Sequence, residues 1–567
     1  MKTIIFLCTI LILIHFAKAS AAEVSDSISD KFTKADTVRG SLLPERSWWD
    51  VLRYDITVKP DYKSKTISGM NDVRYKVVTK DYPLIMQIDL QTPMLIDSVI
   101  FNSFKKLDFK SFGNAWYLEV PEQEQYSENS VMIYFHGKPR EAVRAPWDGG
   151  WVWSKDSLGN PWMSVACQGL GASVWYPCKD HQSEEPDNGA SLTMIVEDSL
   201  VGVANGRMSS VNSNGDGTTS YKWEVINPIN SYNLVPYIGR YVNFTESYSG
   251  EKGSLDVDIW VLNYNLQKAR EHILPEVKRM LEAFEYWFGP YPFYEDSYKI
   301  IDAPYAGMEH QSGIAYGNKY LNGFWGMDLT GTGWGKKFDY MIVHESGHEW
   351  FGNNITTNDI ADMWVHEGFT AFSETLFTEY WFGKTAADEY IAGVRKNIVN
   401  KFPLIGYYDV NTKSQSTDIY YKGANILNNV RKSMNDDEKF RNVLRGLNKE
   451  FYHKTINTDD IEKYINENSG FNYSKVFDQY LRNIRIPELE FYFTDNKTNL
   501  SYRYVDCIKG FDLPLTLKND SDSIKIYPTR QWNNIKISSK QSALFDPSLI
   551  MKTYYLRAKE TDGKTKL

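Results

Sequence analysis

The stretch His344-Glu345-Ser346-Gly347-His348 holds the residues best spaced to do chemistry. It lies in the run KKFDYMIVHESGHEWFGNNIT, whose apolar residues recur at helical spacing until Gly352 breaks the pattern. On a helix, residues four apart share a face, so both imidazoles can reach one metal ion. Glu345 points about 100° further round, close enough to touch a metal-bound water without ligating the metal. A hydrolytic zinc ion needs a third protein ligand and a fourth position open to water. Glu367, nineteen residues after His348 in the segment DMWVHEGF, is the best candidate, because that spacing lets the chain turn and lay a second helix beside the first. Two imidazoles and one hard carboxylate form a catalytic zinc set. His366 competes with it, since neighbours on a helix point about 100° apart and only one of them can face the ion. Glu374, two turns beyond Glu367 on the same face, either meets solvent or stands behind the ligands. Of the chain's nine histidines, four (His310, His344, His348 and His366) fall in this one region.

The flanking periodicities name the elements that must position these residues. From Trp48 the pattern alternates in short β-type runs (YDITV, NDVRYKVV, LIMQIDL, WYLEV, SVMIYF, SLTMIV, YKWEV, RYVNF, LDVDIWVL), separated by turn signals. The spacing then turns helical in NLQKAREHILPEVKRMLEAFEYWFG, which ends at Gly289-Pro290 and holds a candidate kink at Pro275. A strand, DSYKIID, leads through a loop to the metal-motif helix, and further helices follow to about residue 485. Alternation returns after Ile486-Pro487. The expected fold is a multidomain α+β protein: an N-terminal antiparallel β domain (47–262), a mainly α catalytic domain (263–485) and a small C-terminal β-sandwich (486–567). Residues 20–46 read as a polar linker.

Composition narrows the function. The chain of 567 residues is 42% hydrophobic and 24% charged, with a net charge of −9, which argues against nucleic acid as a partner. Residues 1–19 read as a secretory signal peptide: Lys2, an apolar run from Ile4 to Phe16 too short to span a bilayer, and Ala17-x-Ala19 before Ser20. The expectation is an exported protein, periplasmic or secreted, with no membrane anchor. Cys167, Cys178 and Cys507 then remain; Cys167 and Cys178 either pair or stay as buried thiols.

With these motifs in place, the chain resembles the aminopeptidase N family of zinc metallopeptidases from Trp48 to about Pro487. The zinc motif with Glu367 is one part of the likeness. Ala306-Gly307-Met308-Glu309-His310 resembles the Gly-x-Met-Glu-Asn exopeptidase signature, and Tyr420-Tyr421-Lys422-Gly423 matches Tyr-x-Lys-Gly. The segment from Cys167-Gln168 to Trp175-Tyr176-Pro177 is similar to the family's amine-site segment. The resemblance implies a thermolysin-like catalytic domain holding one zinc ion per chain on His344, His348 and Glu367. It implies Glu345 as general base and Tyr420, rather than Tyr421, as oxyanion donor. Glu309 would bind the substrate's α-ammonium, Gln168 would add a neutral acceptor for it, and Gly307 and Met308 would bind the peptide as an added strand. The implied substrates are peptides with a free N-terminus. His310 and His366 depart from the family's usual Asn and are expected to alter the pH profile if they titrate near neutrality. The chain also resembles a short form without the family's C-terminal helical-repeat domain, which implies an open cleft and no lipid epoxide hydrolysis. The rival readings are a zinc endopeptidase of the same chemistry and a catalytically silent peptide-binding homologue.

Overall fold

The computed structural model describes residues 32–411 and 416–563. The signal-peptide reading and the start of the linker lie outside these residues. The rest of the polar linker carries helices: Lys34–Gly40 and Pro44–Ser47, the first behind a Thr33–Asp36 capping box. Arg46 explains why this polar segment is ordered. Its guanidinium is fully buried, donates to the carbonyls of Val38, Arg39 and Ser41, and meets Asp89 at 3.1 Å. Ser41 Oγ donates to Asp409 O and Asn411 N–H to Asp36 O, so the segment straps the β layer to the loop leading towards Tyr420.

The alternating runs form an eight-stranded sheet, with a smaller four-stranded sheet and a three-stranded ribbon beside it. The large sheet is not purely antiparallel. Its first strand, Trp49–Asp61, runs parallel to Ala190–Glu197, because the long excursion between residues 138 and 189 returns the chain in the same sense. The hairpin Tyr241–Gly250/Gly253–Leu262, read as the end of the β domain, pairs instead with Tyr298–Asp302. Its buried Leu255, Val257 and Ile259 share one core with the helix Leu274–Phe288, and that apolar face draws it to the catalytic side. The resulting five-stranded sheet ends in Gly307–Met308, whose outer edge no other strand among the described residues covers.

In the long helical run, a π-turn at Ala269–Ile273 precedes Pro275, the kink site expected from the missing proline N–H. The helix Tyr340–Gly347 packs on the Gly307–Met308 edge of the five-stranded sheet, Trp364–Phe382 packs on Tyr340–Gly347, and Tyr421–Met434 packs on Trp364–Phe382. Glu488–Thr494, Asn499–Val505, Asn533–Lys536 and Arg557–Glu560 build the C-terminal sheet, with a two-stranded ribbon and two short helices beside it. It docks on Tyr421–Met434, where Asn429 Oδ1 accepts from Tyr555 N–H at 2.8 Å. No helix of the described residues is long and apolar enough to cross a membrane.

Candidate active site

Asp339 starts the helix that carries the metal motif. Its Oδ1 accepts from the backbone N–H groups of Met341 and Ile342, capping Tyr340–Gly347, while Tyr316 OH and His272 Nε2 hold Oδ2. His344 thus falls inside the helix and His348 at its C-cap, both turned into a cleft of about 510 Å³.

The second helix brings Glu367 to the same point. Its Oε2 lies 3.3 Å from His348 Nε2 and 3.7 Å from His344 Nε2, yet it is buried without a hydrogen-bond partner. Ligand atoms about 2.1 Å from a tetrahedral zinc ion stand roughly 3.4 Å apart, so this spacing suits a shared cation. The imidazoles are set for the same purpose. His344 Nδ1–H donates to Glu374 Oε1 at 2.7 Å and His348 Nδ1–H to Phe351 O at 3.1 Å, which leaves both Nε2 lone pairs facing Glu367. Burial would depress both histidines, but Glu367 and Glu374 hold His344 well above its ordinary pKa, and Glu367 and Glu309 raise His348. The pocket therefore favours a cation. Glu309, Glu345 and His348 also come together, but Gln168 and Tyr232 already engage Glu309, whereas Glu367 Oε2 is left without a donor. The residues fit zinc at His344, His348 and Glu367.

Glu374 is thus not solvated; it is fully buried, and Tyr390 OH donates to its second oxygen at 2.6 Å. His366 turns away from the cluster, and its Nε2 accepts from Thr357 N–H at 3.0 Å. His310 Nδ1 sits 2.5 Å from Tyr237 OH. Burial pushes both histidines down to about 3, so the condition under which they would alter the pH profile, titration near neutrality, is not met.

Glu345 faces the cleft beside this cluster, and burial, with Glu309 nearby, pushes its carboxyl up to about 7. Gly307 leaves the room it needs: a Cβ there would stand 2.8 Å from Glu345 Oε1 and 2.7 Å from Met341 Sδ. Glu309 follows the edge strand and is buried. Gln168 Nε2 donates to its Oε1 at 2.5 Å and Tyr232 OH at 3.0 Å. Gln168 therefore meets Glu309 as a donor, because only its amide N–H can bond a carboxylate. Tyr420 enters by a glycine contact between helices. A Cβ on Gly423 would lie 2.7 Å from Gly368 Cα, so the two glycines let the start of Tyr421–Met434 approach the helix bearing Glu367. Lys422, buried, donates to Asn400 Oδ1 at 2.7 Å and to Asn483 O at 3.0 Å, fixing the same turn. The Tyr420 ring stacks on His344 at 5.9 Å; burial, Glu367 and Glu309 hold its phenol well above the usual range. Tyr421 lines the cleft as well, but Tyr420 is the one stacked on a metal-motif histidine.

Two participants escaped sequence reasoning. Tyr340 stacks on His344 at 5.1 Å and stands one helical turn before it, a signal that was available. Tyr232 comes from a short turn far from any motif, and no local signal marks it. All three described cysteines are buried free thiols, so Cys167 and Cys178 do not pair.

A model of the peptidase family M1 domain matches residues 273–480. Leucine aminopeptidase 2 of Vanderwaltozyma polyspora is 22% identical over 65% of this chain and 52% of its own length. Aminopeptidase M1-B of Oryza sativa subsp. japonica is 26% identical over 74% and 48%. The chain thus spans about half the length of these curated relatives. A crystal structure of an M1 zinc metallopeptidase mutant from Deinococcus radiodurans, bound to a Tyr-Ser-Ala substrate, superposes with a TM-score of 0.65 at 18% identity, over 77% of this chain and 94% of that one. That likeness bears out the expected fold class. Zinc-motif geometry, matched domain and shared fold agree: residues 273–480 match the peptidase family M1 domain, and the chain is similar to aminopeptidases and shares the fold of an M1 zinc metallopeptidase.

Proposed function

We propose that the protein is a zinc-dependent aminopeptidase that removes N-terminal residues from peptides. The observation that carries this reading is Glu309, a buried carboxylate held by Gln168 and Tyr232 at the end of an uncovered edge strand, beside the His344–His348–Glu367 cluster. One zinc ion per chain, when bound there, supplies a Lewis acid and an acidified water. Glu345, which faces the cleft beside the cluster, accepts a proton from the attacking water and returns it to the leaving amine. Tyr420 donates a hydrogen bond to the scissile carbonyl oxygen as charge develops on it. Gly307 and Met308 offer their free edge to the peptide backbone.

Glu309 selects the bond that is cut. Its carboxylate pairs with the substrate's α-ammonium, with Gln168 orienting it; a chain without a free amine leaves that carboxylate buried without a countercharge. Export after loss of residues 1–19 belongs to the same proposal and rests on the sequence pattern alone. The test is turnover of an aminoacyl arylamide panel with and without chelator. Activity should vanish on chelation, return with zinc, and fall by a factor of roughly 1,000 or more in Glu345→Gln at unchanged zinc content. Absence of turnover across the panel by zinc-loaded protein would refute the proposal.

A further inference from the structure

The edge strand has a direction, and past its start lies a second groove that the reaction leaves unused. A peptide added antiparallel to Gly307–Met308, with its amino end at Glu309, runs its downstream residues towards Ala306, Tyr305 and Pro304. Counted from residue one opposite Glu309, the third residue lies opposite Gly307, and a peptide kept extended at about 3.3 Å per residue comes level with the turn at 303–306, Tyr305 included, with its fourth and fifth residues. A groove of about 460 Å³ opens there, walled by Trp162, Tyr264, Tyr305, Tyr320 and Trp325. It adjoins the catalytic cleft. Ala306 and Phe324 line the cleft while their chain neighbours Tyr305 and Trp325 line the groove, and the Trp325 ring packs edge-on at 6.1 Å against Trp147 of the cleft.

The wall of this groove is built at a conformational cost. Lys319, Tyr320 and Trp325 have φ of 59°, 60° and 50°, the left-handed region that bulky residues avoid. A network holds them there: Asn318 Oδ1 accepts from Trp325 N–H at 2.7 Å, Tyr316 OH from Tyr320 N–H at 3.0 Å, and Tyr320 OH donates to the buried Asp302 at 2.7 Å. Strain kept in place this way is characteristic of binding surfaces. Two cations stand over the rings, Lys319 Nζ 5.6 Å from the Trp325 centroid and Lys268 Nζ 5.9 Å from that of Tyr320.

We propose that this groove binds the downstream part of a peptide substrate, from about the fourth residue on. It takes an aromatic or large apolar side chain against the Tyr305, Tyr320 and Trp325 rings and an acidic group beside Lys268 and Lys319. The inference rests on the peptidase reading above. Its test compares kcat/KM for Leu-Ala-Ala-Phe-Glu-Ala, for Leu-Ala-Ala-Gly-Lys-Ala and for a leucyl arylamide, which is too short to reach the groove. The intact protein should release leucine from the Phe-Glu peptide about tenfold faster than from the Gly-Lys peptide, the gain lying in KM, as burial of one aromatic side chain allows. Lys268→Glu with Lys319→Glu, and separately Tyr264→Ala, should each lower the peptide-to-arylamide ratio several-fold. Equal rates for the two peptides, or ratios unmoved in both variants, would overturn the groove while leaving the peptidase reading standing. Failure to cleave any of the three substrates would sink the peptidase reading and the groove with it.

Discussion

Glu374 touches no substrate, yet its removal should cost zinc affinity in two measurable steps. In the structure His344 Nδ1–H donates to Glu374 Oε1 at 2.7 Å, and Tyr390 OH holds the other oxygen at 2.6 Å. That bond fixes the tautomer that exposes His344 Nε2 to Glu367 and makes the imidazole a better donor. Glutamine keeps an acceptor for His344 but loses the charge. A charge-assisted hydrogen bond contributes about 1.5–3 kcal/mol and a neutral one about 0.5–1.5, so Glu374→Gln should cost about 1 kcal/mol, or roughly fivefold in zinc Kd. Alanine removes the acceptor and leaves Tyr390 OH and His344 Nδ1 buried without it. Glu374→Ala should then cost about 2–3 kcal/mol, a weakening near 100-fold. The assay is competition for zinc against a chelator of known affinity, with the zinc-induced rise in Tm as a second readout that needs no turnover. Wild-type affinity in Glu374→Ala would refute the reasoning.

Arg46→Ala should lower unfolding stability by about 3–5 kcal/mol in urea titrations, because Asp89 would keep a buried charge without its partner and three carbonyls would lose their donor. Gly423→Ala places a Cβ 2.7 Å from the Gly368 backbone and must shift the turn bearing Tyr420; kcat should fall at least tenfold while zinc content is unchanged. Asp302 titrates with stability. Burial raises its carboxyl to about 6, above its unfolded value near 3.8, so the folded state keeps a proton that the unfolded state releases. Its contribution is complete below about pH 4 and is lost as pH rises through 6, at most about 3 kcal/mol. The stability difference between wild type and Asp302→Asn should therefore decline from pH 4 to pH 7.

The candidate ligand cluster was legible in the sequence because helix geometry is local: His344 and His348 share a face by spacing alone, and Glu367 follows on the next helix. Glu309 and Tyr420 were legible through short motifs whose glycines have a steric purpose, Gly307 beside Glu345 and Gly423 against Gly368. What the sequence could not show depends on residues that meet only in three dimensions. Tyr232 reaches Glu309 from 77 positions away. The burial of His310 and His366, which silences them as titrating groups, is likewise set by packing. Arg46 reads as a charge in a polar arm until Asp89 is seen opposite it. The hairpin Tyr241–Leu262 alternates like the strands before it, and only its pairing with Tyr298–Asp302 assigns it to the catalytic side.

The central claim is that Glu309 restricts hydrolysis to free N-termini. It is tested most directly by comparing one peptide with its N-acetyl twin under the same zinc-loaded enzyme. The account predicts stepwise release of the first residue from the free-amine peptide and a kcat/KM at least about 100-fold lower for the twin, since acetylation leaves a buried carboxylate without its countercharge. Cleavage of both at similar rates, or cleavage at internal bonds, would contradict it.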